Sequence, residues 1–261
     1  MVAVLHSPDG QLSARVSPAL AEYGWLARLV VICCSVIVEQ CRGVPMSTGL
    51  SLADQLRLEL RGDIIGGRLL PGMALIESEL VVAYNASRNT IREALHQLGQ
   101  EGLTRYVRNK GVMVRRLGPE EVRDLFQVRR TLELQAIANS RPLRDYQSDR
   151  MLECIEAAQL AWEREEWRSV GTHSLGFHQH VVGLMGSRLF DEFFTNVVAQ
   201  MRLVFCAAPD EQHFQAPWLT RDRQIHDLLA EGDRYQAGVA MEGYLYDSER
   251  LLLDILNQAS R

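Results

Sequence analysis

The residues best equipped for chemistry lie between Ser87 and Arg92, where S-R-N-T-I-R crowds hydrogen-bond donors into one helical turn. Ser87 stands where an N-cap belongs, its hydroxyl free to accept an orphan amide. Arg88, Asn89, Thr90 and Arg92 occupy the first turn and its outer side, while Ile91, Leu95 and Leu98 keep an apolar stripe behind them. A helix of this kind offers guanidinium and amide donors to phosphates and base edges in a major groove. Taken alone, the same residues also suit an ordinary solvated helix face. A second group, His173, His178, His180 and Asp222, has the side chains for acid–base work. No nucleophile motif, phosphate loop or cofactor fingerprint accompanies it, which argues against an enzyme, including a helical-bundle metal enzyme.

The elements around Ser87 decide between the two readings of that turn. Leu50 to Ile65 reads as a first helix, with Leu52, Leu56 and Leu60 on one stripe, ended by Gly66-Gly67. Ile76 to Tyr84 reads as a second helix, and Asn85-Ala86 as a tight corner, since Asn tolerates a left-handed turn. Ser87 to Gln100 is the third helix. Leu103 to Arg108 then reads as a strand, Asn109-Lys110-Gly111 as a tight turn, and Val112 to Arg115 as the return strand. Three helices plus a β-hairpin with a basic tip make a winged helix-turn-helix. Arg108, Asn109, Lys110 and Gly111 form its wing tip, suited to phosphate or minor-groove contact.

The stretch I-I-G-G-R-L-L-P-G-M-A-L, then E-S-E-L, then N-A-S-R-N-T-I-R-E-A-L-H-Q-L-G-Q-E-G-L resembles the GntR family of bacterial transcription regulators. The resemblance covers about residues 50 to 116. It implies double-stranded operator DNA as a partner, read by a homodimer in the cytoplasm.

Charge agrees with a DNA-binding head on a separate body. The whole chain carries −5. Residues 50 to 117 hold ten basic and seven acidic side chains, a net of +3, and residues 118 to 261 carry −8. Of the basic residues, Lys110 alone is a lysine. The five cysteines (Cys33, Cys34, Cys41, Cys154 and Cys206) have neither zinc spacing nor the pattern of a small disulfide-bonded domain. Residues 1 to 45 match nothing in the family and read as a spurious or disordered extension ahead of Met46. Their ten-residue apolar run, Leu29 to Val38, falls well short of the roughly 20 residues a membrane span needs, so no membrane role is expected.

The domains expected are therefore 46–117 as the head and 118–261 as an effector body, joined at Leu117-Gly118-Pro119. From Glu120 onward all patterning is helical, giving a bundle of six or seven helices and a mainly α chain. The segments are Glu120 to Ser140, Tyr146 to Glu163, Val170 to Met185, Arg188 to Cys206, Leu219 to Glu231 and Asp233 to Ser260, with Ala207 to Trp218 as one long loop. V-R-R-T-L-E at Val128 to Glu133, F-H at Phe177-His178 and E-G-D at Glu231 to Asp233 resemble the FCD-type effector domain of FadR-like GntR regulators.

Many domains of that type hold a divalent metal through an Asp four residues before a His, then two further His. Carried onto this chain, those positions are Ser174, His178, Asp222 and Tyr244. A serine hydroxyl and a phenol are poor metal ligands near neutral pH, so no metal or other cofactor is expected. A weak rescue set would be His178, Asp222 and His226. Without a metal, Arg129 and Arg202 are the cations expected to meet an anionic effector, beside Ser174, His178, Asp222 and Tyr244. The function this implies is a ligand-responsive repressor of metabolic genes, controlled by a small organic acid, sugar acid or amino acid. The alternative is an architectural DNA-binder with no effector.

Overall fold

A computed structural model of the protein describes residues 3–6, 12–15, 50–207 and 211–259. By packing, the chain divides into residues 1–50 and residues 51–261. In the first unit, β1 (Ala3–His6) and β2 (Leu12–Arg15) pair antiparallel, Ala3 opposite Arg15 and His6 opposite Leu12. No strand is expected there from sequence. The apolar run Leu29 to Val38 and the region of Met46 lie outside the described residues.

The second unit opens with the head. Helix α1 (Leu52–Ile65) starts at a capping box in which the Ser51 hydroxyl accepts from the Asp54 amide and Asp54 accepts from the Ser51 amide. Helix α2 (Glu77–Ala83) leads through Asn85, at φ +48°, into α3 (Arg88–Gln100). That left-handed residue turns the corner, as its side chain permits. Leu60, Ile64, Ile91 and Leu98 meet with no exposed surface. Each contributes on the order of 1.5–3 kcal/mol by leaving water, which locks α3 against α1.

The hairpin of β3 (Thr104–Val107) and β4 (Gly111–Val114) follows, with Thr104 opposite Val114 and Val107 opposite Gly111. Its connection is a three-residue loop, 108–110, one residue earlier than the Asn109-Lys110-Gly111 turn read from the sequence. Asn109 at φ +66° and Gly111 at φ +79° supply the left-handed steps that such a loop needs. A third edge joins this sheet from between α1 and α2. The Leu75 amide donates to the Val112 carbonyl at 2.8 Å, and the Val114 amide to the Met73 carbonyl at 2.9 Å. Sequence patterning misses this segment because Pro71-Gly72 marks a turn and only Ala74 forms a bridge.

Seven helices form the body among the described residues. They are α4 (Pro119–Asn139), α5 (Asp145–Glu163), α6 (Trp167–Gly183), α7 (Arg188–Cys206), α8 (Glu211–Gln215), α9 (Trp218–Glu231) and α10 (Arg234–Ala259). Pro119 opens α4, and the Gly118 amide donates to the Glu121 carboxylate at 2.8 Å. The expected long loop contains α8, too short to show a helical period. Among the described residues, no helix is long and apolar enough to cross a membrane.

Candidate nucleic-acid interface and buried polar site

The outer face of α3 is built by the cap at its start. Ser87 Oγ accepts from the Thr90 amide at 3.1 Å, and the two hydroxyls lie 2.8 Å apart. Ser87 and Thr90 therefore shape the helix end, while Arg88 and Asn89 stand exposed beside them. Arg92, one turn on, is also exposed, but its Nε donates to both Glu77 oxygens at 2.9 and 3.0 Å. An exposed pair of this kind is worth little in water, so Glu77 steers Arg92 without withholding it. Arg108, Asn109 and Lys110 are exposed at the wing tip beside half-buried Gly111. Tyr106, 75% exposed on β3, is a wing residue that the sequence reading passes over. An aromatic in an apparently alternating strand gives no sign of which face it takes.

The body holds a second constellation, wholly buried. Arg129 Nε donates to Glu133 Oε1 at 2.7 Å, and His178 Nδ1 lies 2.5 Å from Glu133 Oε2. A carboxylate only accepts, so His178 carries its proton on Nδ1 toward Glu133. Burial would raise Glu133, but the positive charge of Arg129 and the contact with His178 outweigh it and hold the carboxyl below its usual range. On the other side of the ring, His178 Nε2 stands 3.5 Å from Asp222 Oδ1, too far for a good hydrogen bond. Ser174 Oγ donates to Asp222 Oδ2 at 2.6 Å and lies 3.4 Å from the Tyr244 hydroxyl. Burial pushes the Asp222 carboxyl up to about 6, against the opposing pull of His178 and Ser174. Burial, reinforced by Asp222, drives the Tyr244 phenol well above its ordinary value. The Tyr244 ring meets the His178 ring edge-on at 4.7 Å and the Trp218 ring at 4.8 Å.

The fold thus brings Arg129, Ser174, His178, Asp222 and Tyr244 together from α4, α6, α9 and α10. Glu133 joins them, though sequence reading names only Arg129 from V-R-R-T-L-E. The available signal was the i, i+4 spacing of Arg129 and Glu133 on one helix face. Two expectations need correction. Arg202 does not sit with Arg129: its Nε donates to the Ile65 carbonyl of the head at 3.1 Å, and its guanidinium lies over the Phe205 ring. A buried arginine on an apolar helix has one sequence signature, whether it faces a ligand or a neighbouring backbone. His226 does not join His178, because Ser148 Oγ and Asp227 Oδ1 each lie 2.9 Å from its ring nitrogens. Both partners hold it on the α5 side of α9.

The donor set does not fit the divalent ion usual at these positions. Ser174 spends its hydrogen on Asp222, Tyr244 keeps its phenolic proton, and one imidazole nitrogen faces Glu133. His178 Nε2 and Asp222 Oδ1 remain, and two donors fall short of the four to six a bound ion takes. Among the described residues no cluster of three His, Cys, Asp or Glu is placed to hold a metal.

Residues 52–114 match the family model of bacterial regulatory proteins of the gntR family, and residues 124–247 match the FCD domain. A solved chain described as a GntR transcriptional regulator from Rhodococcus sp. RHA1 is 33% identical, with a TM-score of 0.75 over 78% of this chain and 99% of that one. This chain belongs to the GntR family. Its body is an FCD domain, and its relatives are transcriptional regulators and not enzymes. An HTH-type regulator in an unstable DNA locus of Streptomyces ambofaciens is 28% identical over 201 residues, covering 72% of this chain and 79% of that one. The HTH-type transcriptional repressor GlaR of Escherichia coli K12 is 30% identical over 145 residues, covering 51% and 66%. The GntR match coincides with the helices and wing that carry Arg88, Arg92 and Lys110. The FCD match spans every member of the buried constellation.

Proposed function

We propose that this GntR-family regulator is a metal-independent repressor whose operator affinity is set by a small organic acid bearing a hydroxyl or amine. The observation that carries the reading is the set of buried polar atoms with no hydrogen-bond partner among the described residues: Arg129 Nη2, His178 Nε2 and Asp222 Oδ1. An unpaired buried polar atom costs on the order of 1–3 kcal/mol, so a molecule that completes all three gains that much at each contact. A carboxylate matches Arg129 Nη2. A hydroxyl or ammonium matches Asp222 Oδ1, which would repel a bare polyanion. Sugar acids, hydroxy acids and amino acids carry both groups. The repressor sense draws on the name of the E. coli relative GlaR.

The chain is further read as a two-fold dimer on a palindromic operator. The support is an exposed apolar face where α4 and α7 meet, with Val128 and Leu132 below Leu189, Phe190 and Phe193. Leu189 is 78% and Phe193 51% exposed, more than a monomer ordinarily leaves bare in one place. Two measurements test these readings. A thermal-shift screen of sugar, hydroxy and amino acids should find a compound that stabilises the natural protein and fails to stabilise Arg129→Gln. Sedimentation should show a dimer that Phe193→Glu dissociates. A monomeric natural protein, or no stabilising acid in the panel, counts against the corresponding reading.

A further inference from the structure

The body supplies the C-terminal caps of two head helices. An α-helix ends on carbonyls that have no donor within the helix. At the end of α1, the Ile65 carbonyl accepts from Arg202 Nε of α7 at 3.1 Å, with the Cys206 thiol at 3.9 Å. Two residues on, the Gly67 carbonyl accepts from Arg168 Nη1 of α6 at 3.0 Å. At the end of α3, the helix of Arg88 and Arg92, the Glu101 carbonyl accepts from Gln200 Nε2 of α7 at 3.0 Å. Arginines at a helix C-terminus also meet the negative end of its dipole. The end of α1 is therefore held by α6 and α7, and the end of α3 by α7, as well as by the head's own core.

These helices also reach the buried constellation. Helix α6 carries Ser174 and His178, and one turn before Ser174 it carries buried Gly171. A Cβ at Gly171 would stand 2.7 Å from Arg202 Nη1 and would overlap Gln215 Nε2. Arg202 and Gln215, each 1% exposed, thus occupy a notch that only glycine leaves open. Gln215 Nε2 has no hydrogen-bond partner among the described residues. Three residues along lies Trp218, whose ring packs on Tyr244. A change at Ser174, Asp222 or Tyr244 that moves α6 or α9 moves the floor or the wall of this notch. Arg202 joins the notch to the end of α1 through the Ile65 carbonyl.

We infer that Gly171, Gln215 and Arg202 form a positioning relay through which the state of the buried polar site sets the operator affinity of the head. The inference rests on reading that site as the effector site. Lying between two sites does not establish coupling, so the test is a double-mutant cycle on DNA affinity. The full-length protein first selects a duplex from a random-sequence library. Affinity for that duplex is then measured by fluorescence anisotropy with and without Asp222→Asn, which removes the carboxylate charge from the buried site.

In the natural chain, Asp222→Asn should shift affinity by about five-fold or more, the lower end of ordinary allosteric coupling. In Gly171→Ala the same substitution should shift it less than about two-fold. Arg202→Gln should show the same loss of response, and Gln200→Ala a partial one. These two decide the matter if circular dichroism shows that Gly171→Ala does not fold. Equal shifts in all backgrounds, or no shift in the natural chain, overturn the relay. Failure of the natural protein to select any duplex would overturn the reading as a DNA-binding regulator, and the relay with it.

Discussion

Replacing Asp222 by Asn should stabilise the protein at neutral pH, by an amount the structure allows to be worked out. The Asp222 carboxyl titrates near 6 in the fold, against an ordinary value of 3.8. Between those values the folded chain keeps a proton that the unfolded chain has lost. Stability therefore falls as pH rises through that window. At about 1.4 kcal/mol per pKa unit, the cost accumulated by pH 7 is on the order of 3 kcal/mol. Asn accepts the Ser174 hydrogen bond as Asp does and never ionises, so it should recover that amount. For a folded unit of this size the gain corresponds to roughly 6–12 °C in melting temperature. At pH 5 the advantage should shrink to roughly half, and below about pH 4 it should vanish.

Glu133, buried, and His173 and His180, half-buried, also shape the absolute curve. Burial lowers His173 and His180, which costs stability as pH falls through their ordinary range. The depressed pKa of Glu133 adds stability above its ordinary value that is lost as pH falls through the folded one. His173 and His180 are present in both proteins and cancel in the difference, whereas Glu133 repels the Asp222 carboxylate and is relieved of it in the variant. Melting followed by circular dichroism at pH 7, 6, 5 and 4 is the assay. If Asp222→Asn is no more stable than the natural chain at pH 7, or if the gap does not change with pH, the assignment of the cost to a buried ionised Asp222 is wrong.

Arg88→Ala and Arg92→Ala should each weaken specific DNA binding by about 1–3 kcal/mol, measured on a selected duplex, and full specific affinity in both would remove α3 from the groove. Lys110→Ala should weaken all sequences alike and lower the slope of log affinity against log salt by roughly one unit, whereas a sequence-dependent loss would mean that the wing reads bases. Elemental analysis of protein purified without chelator or metal-affinity resin should find no stoichiometric zinc, nickel or manganese. Ser174→Asp, Asp222→His and Tyr244→His combined should create metal affinity readable by calorimetry, since they put a carboxylate and two imidazoles where two hydroxyls and a carboxylate now stand.

Much of the head could be read from the chain because local rules and tertiary packing agree there. Ser87 caps α3, Asn85 makes the left-handed corner and the leucine stripes find each other, each a signal within a few residues. The third edge of the wing sheet was hidden because its pairing with β4 spans nearly forty residues and includes only one bridge. In the body, helical periods mark α4 to α7, α9 and α10, but period says nothing about which polar side chain turns inward toward which partner. Ser174, His178, Asp222 and Tyr244 stand out only through resemblance to a domain type. Glu133 shows only its i, i+4 spacing from Arg129, because its other partner is a histidine forty-five residues away. Arg202 is illegible for a related reason: a buried guanidinium needs acceptors, and a backbone carbonyl on another element leaves no mark in the sequence.

The caps lent by the body to α1 and α3 bear on how readily this head could be exchanged. Winged heads and effector bodies are often regarded as interchangeable modules, to be spliced at a linker such as Leu117 to Pro119. Here a graft cut at that point would leave Arg168, Gln200 and Arg202 behind. The transplanted head would arrive with the carbonyls of Ile65, Gly67 and Glu101 facing whatever the new body presented. Recombination that keeps the linker but not those three donors would yield a regulator whose α3 keeps its own residues and is no longer held at the angle this body imposes.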